Sequence, residues 1–227
     1  MERFFSNRQL CIFSGLSGIA GVTMLGISFA INYPPPPTGA TTAEILKFGQ
    51  ENYSHILWGA WLQAVGPVLL VFFAFTLVHL AGAAVRLPGW MTLFGACVLM
   101  TVSLIEIGFY ISALNREPAV MPFISLRVIF AVQHLYFVVA APALFLPLGI
   151  VLLNSAILPR FFGYFALLLA TIFAALGIIF MLTLTLPPWV TALGGVQALW
   201  WLAASISLIT RSGGLASLAP TCDEAKA

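Results

Sequence analysis

Charge is what this sequence has least of. Only 7% of its 227 residues are charged, against 61% hydrophobic, and the mean hydropathy is +1.06. A water-soluble domain carries about 25% charged residues because its surface must face water. A chain this poor in charge cannot cover such a surface, so lipid is its solvent. The formal net charge of +2 is too small to point to nucleic acid. Cysteine is scarce too: Cys11, Cys97 and Cys222 form no C-x-x-C pair, and two of them lie in apolar runs, where cysteine behaves as a small hydrophobe. Also missing are H-E-x-x-H, G-x-S-x-G and Walker patterns. The three histidines, His55, His79 and His134, lie at mismatched depths for a haem between helices. A lone intramembrane carboxylate cannot assemble a two-metal site. Neither a metal nor a cofactor is expected.

What is present is a series of long apolar runs. Each is close to the ~20 residues that cross a bilayer as a helix. Six spans are expected, at about 9–31, 54–81, 88–114, 122–153, 159–186 and 189–210. Spanning strands would alternate polar and apolar residues, whereas Val65 to Phe75 and Phe161 to Phe180 are apolar all round. The fold class is therefore all-α, a polytopic bundle forming one domain over residues 1–212, with a flexible tail at 213–227. The first run is longer than the 7–15 residues of a signal-peptide core, which predicts a retained helix. Four prolines at 34–37 end it. Residues 41–52, with Ile45, Leu46 and Phe48 among charges, fit a short interfacial helix or a loop. Gly66-Pro67 predicts a kink in the second span, and Pro142 and Pro147 interrupt the fourth.

The few Lys and Arg residues distribute unevenly between alternate sides. Arg3, Arg8, Arg86, Arg160, Arg211 and Lys226 fall on one side, and Lys47 and Arg116 on the other. The positive-inside rule then places both termini on the cytoplasmic side.

Ionisable and amide groups inside spans are costly, so they mark where function is sought. Counting ~1.5 Å per residue from the outer span ends, Glu106 lies ~12 Å deep, Arg127 ~7 Å, His134 ~18 Å, and Gln63 and Gln197 ~13 Å each. Ser103 and Tyr110 flank Glu106 on its own helix face. Together Glu106, Arg127, His134, Gln63, Gln197 and Tyr110 predict a polar pocket in the outer half of the bundle, with Gln133 nearby. Such a pocket suits a small hydrophobic or amphipathic ligand that is bound or passed. Two other readings stay open. One is a membrane enzyme using Glu106 as general acid with His134 as its partner, or a proton relay through the same pair. The other is a structural or regulatory subunit in which Glu106 and Arg127 form an ion pair that fixes helix packing.

The stretch Phe145-Leu146-Pro147-Leu148-Gly149, followed by a polar turn and Leu158-Pro159-Arg160-Phe161-Phe162-Gly163-Tyr164, resembles a bacterial family of multi-pass membrane proteins known as domain of unknown function 4386. The resemblance extends over about residues 54–210. It implies a six-helix membrane protein and carries no assigned chemistry.

Overall fold

The computed structural model describes residues 6–31, 40–114, 120–183 and 190–217. Among them all regular structure is helical, and six helices are long and apolar enough to cross a membrane. The spans are α1 (Asn7–Ile31), α3 (Tyr53–Leu80), α4 (Leu87–Ala113), a fourth formed by α5 (Met121–Leu135) and α6 (Ala141–Leu153), α7 (Arg160–Thr183) and α8 (Val190–Thr210). Two short helices, α2 (Thr42–Glu51) and α9 (Ser212–Ser217), flank them. The proline run at 34–37 lies outside the described residues.

The exterior is apolar. Phe29, Phe94, Leu182 and Leu199 are each more than 60% exposed, which is tolerable only against hydrocarbon. Inside, lipid supplies no hydrophobic drive for helix association, so close backbone approach must hold the bundle. Gly21 on α1 faces Gly66 on α3. A Cβ on either would sit 2.8–3.0 Å from the other's carbonyl oxygen, so the two backbones touch. Ser28 donates from Oγ to the Gly59 carbonyl at 2.8 Å across the same seam. Gly15 and Gly18 bring α1 equally close to Ser205 and Ile209 of α8. Trp200 and Trp201, expected as packing residues, are buried around Phe145, with ring centroids 5.3 and 5.4 Å from it. Trp58, Trp61 and Trp90 point outward near span ends, as an aromatic belt requires.

Proline does not break the fourth span. Met121–Leu153 runs as one 33-residue apolar helix containing a π turn at Tyr136–Ala140. Pro142 brings no N–H to the Val138 carbonyl, and the preceding residue, Ala141, donates to Tyr136 five residues back. That wider turn is pressed against Gly177 of α7, where a Cβ would lie 2.7 Å from the Val138 Cα. Pro147 likewise frees the Ala143 carbonyl, and Gly95 of α4 closes directly onto it. Pro67 also stands inside a continuous α3. At ~1.5 Å per residue the fourth span is ~50 Å long, well beyond a ~30 Å hydrocarbon core. It therefore tilts or projects from the bilayer.

The α3–α4 connection is a Schellman turn. Gly82 adopts φ +60°, and Gly82 and Ala83 donate to the carbonyls of His79 and Val78. The tight turn makes α3 and α4 antiparallel neighbours.

Residues 42–51 resolve as helix rather than loop. Thr41 Oγ1 accepts from the Glu44 N–H at 3.3 Å while Glu44 Oε2 accepts from the Thr41 N–H at 2.7 Å. This capping box, with its Thr41 hydroxyl bond, holds the Glu44 carboxyl below the ordinary carboxylate range. Ile45 is buried, and α2 rests against α3 and α5. Thr41→Ala is expected to speed amide exchange across Thr42–Glu51 about fivefold. Protection of the same amides is expected to fall at acid pH, as the pH drops through the depressed range in which the Glu44 carboxyl takes up its proton. At the other terminus, Ser212–Ser217 is helical and packs beside α1 rather than beginning a loose tail. Residues 218–227 lie outside the described set.

Candidate functional site

The polar layer is built around one carboxylate. Gln63 on α3 donates from Nε2 to Glu106 Oε2 at 2.9 Å. Gln133 on α5 donates from Nε2 to Glu106 Oε1 at 3.1 Å. Three helices are thereby joined through one side chain on α4. Gln63 is buried, while Glu106 and Gln133 are half-buried, so the group is neither sealed in a solid core nor turned outward. One turn beyond Gln133, Tyr136 in the π turn donates its hydroxyl to Gln197 Oε1 on α8 at 2.6 Å. The layer therefore draws on α3, α4, the fourth span and α8. Tyr110 is half-buried one turn from Glu106 on α4, toward the end of the bundle where α2 lies.

The helices place these groups for reasons visible in their sequences. The buried stripe of α5 is Pro122, Ser125, Ile129 and Val132, and Tyr136 continues it at the next helical interval. Gln133 sits at the edge of that stripe, one turn from Ile129. Pro67 matters here as well. It offers no N–H to the Gln63 carbonyl one turn back, leaving an acceptor in the main chain of a residue whose side chain already serves Glu106.

Two sequence expectations are corrected. Glu106 does not pair with Arg127, whose side chain is exposed and lies over the Phe123 ring at 5.1 Å. Among the described residues the ion pair present is Lys47–Glu51 on α2, at 3.8 Å. Nor does His134 reach Glu106. Its Nδ1 lies 2.6 Å from the Phe130 carbonyl on its own helix. A carbonyl only accepts, so Nδ1 carries a proton, and Nε2 is a buried nitrogen without a partner among the described residues. Gln63 bonds to Glu106 directly, and Gln197 bonds to Tyr136. Tyr136 was not foreseen, because an aromatic in an apolar run reads as packing. Its signal was its place on the buried stripe.

Comparison with known proteins adds no relative. No family model, curated protein or solved structure matches the chain. The chemistry must be argued from the layer itself. Among the described residues no three of His, Cys, Asp and Glu come together, so the layer offers no conventional metal cage. It offers one carboxyl group with two neutral amide donors and two phenols.

Proposed function

We propose that this chain is a multi-pass protein of a bacterial cytoplasmic membrane. In this reading it binds a small amphipathic molecule, entering from the outer side, in the polar layer around Glu106. The observation that carries it is the convergence of Gln63 and Gln133 on a carboxylate with no cationic partner among the described residues. If the layer served only to glue helices, a third amide at position 106 would make comparable links without placing a charge in hydrocarbon. The uneven Lys and Arg count supports cytoplasmic termini, and with them an outer position for the layer. The resemblance of residues 145–164 to a bacterial membrane family supports the compartment.

The reading is tested by chemical access. Tyr110→Cys, in a background with Cys11, Cys97 and Cys222 replaced by alanine, is expected to react with a membrane-impermeant maleimide in right-side-out vesicles. Leu104→Cys, on an exposed apolar position of the same helix, is expected to stay unlabelled. A Tyr110→Cys protein that reacts from neither side would remove the pocket. One that reacts only in inside-out vesicles would reverse the orientation.

A further inference from the structure

We infer that the molecule held in this layer carries a single positive charge and that Glu106 is its counter-ion. The inference rests on the pocket proposed above and names the class of ligand it takes. Two of the carboxylate's roughly four lone-pair positions are used by Gln63 and Gln133. Both donors are neutral, so they orient the group without cancelling its charge. Arg127, the nearest cation in the sequence of the neighbouring helix, is turned away onto Phe123. The His134 ring is committed to the Phe130 carbonyl of its own helix and makes no bond to Glu106. A negative charge inside a bilayer is retained only with a compensating positive one. The described residues supply none, so a carboxyl here stays neutral by keeping its proton until a bound cation holds it ionised.

The surroundings select among cations. A hard divalent ion takes six or more oxygen ligands, whereas this layer has one carboxylate whose amide neighbours face it with N–H groups. A strongly hydrated inorganic ion would lose its water for little return. An organic ammonium or phosphonium is weakly hydrated and keeps its apolar substituents in an apolar wall.

The test uses two ions of nearly the same shape and opposite charge, tetraphenylphosphonium and tetraphenylborate, with benzyltrimethylammonium as a smaller cation. Equilibrium dialysis against the purified full chain in detergent is expected to show one phosphonium per chain, bound at least tenfold more tightly than the borate. Glu106→Gln should lose at least tenfold of that affinity with its thermal midpoint unchanged, and Glu106→Asp should retain most of it. Should Glu106→Gln fold poorly, the Tyr110→Cys protein carries the question with Glu106 intact. Phosphonium should then slow its labelling and borate should not. Equal binding of the two tetraphenyl ions, undiminished binding by folded Glu106→Gln, or no binding of either cation would overturn the inference. If Tyr110→Cys is labelled from outside while both cations fail, the pocket stands and its charge preference is wrong. If Tyr110→Cys is not labelled, the underlying reading falls instead.

Discussion

Gly95→Leu is expected to yield no folded bundle, and Gly95→Ala to lower its stability by about 3 kcal/mol, the upper end of ordinary overpacking costs. A Cβ at position 95 would collide with the Ala143 carbonyl and stand 2.6 Å from the Leu144 nitrogen. These are main-chain atoms of α6, so no side-chain rotation relieves the contact and the helices must separate. Separation has a second cost. The Ala143 carbonyl has no helical donor because Pro147 occupies the position that would supply it, and the Gly95 backbone is what covers that oxygen. For a chain of this size about 3 kcal/mol corresponds to a fall of roughly 6–12 °C in Tm, measurable in detergent with size-exclusion profiles as the check on folding. Gly108→Ala is the control. Nothing lies within 4 Å of its Cβ position, so helix propensity alone should raise Tm by a few degrees. If Gly95→Ala melted within about 2 °C of the parent, α4 and α6 would not be in backbone contact.

That contact shows where sequence reading ends. The six spans were legible because their lengths and apolarity answer to the bilayer, a partner whose dimensions are known in advance. Their ends at Ile31, Leu80, Ala113 and Leu153 fall within a residue of the expected limits. The continuity of the fourth span was not legible. Whether Pro142 and Pro147 break a helix depends on what meets the carbonyls they free, and Gly177 and Gly95 lie far away in sequence. The candidate layer was legible in composition, since glutamines and a glutamate stand out in apolar helices. The partner of Glu106 was not. A seven-residue spacing says that Arg127 and His134 share a face, but not where that face points. At 100° per residue Arg127 lies ~200° from Ile129 on the buried stripe, whereas Gln133 is a single turn from it. The stripe decides, and Gln133 rather than Arg127 reaches the carboxylate.

The second large effect follows from that choice of partner. Glu106→Leu is expected to lower stability by about 2 kcal/mol, because the Gln63 and Gln133 amides lose their common acceptor and interhelical hydrogen bonds in membranes contribute on the order of 1 kcal/mol each. The accompanying fall in Tm is about 4–8 °C. Glu106→Gln should cost far less. Its Oε1 can accept from one neighbour, and the other can turn its own amide over to accept from the new N–H. Arg127→Leu should be nearly silent, since the guanidinium lies exposed over Phe123 and holds no carboxylate. Combined with Glu106→Leu it should therefore be additive, with a coupling energy near zero in a double-mutant cycle. An ion pair would behave in the opposite way. Removing one partner of a buried pair costs about 3–5 kcal/mol, and removing the second restores much of it. Restoration by Arg127→Leu would mean that the two charges meet after all, and the carboxylate would then have its cation inside the bundle, with none left for a ligand to supply. Additivity would leave Glu106 without a cation from α5, held in place by the two neutral amides.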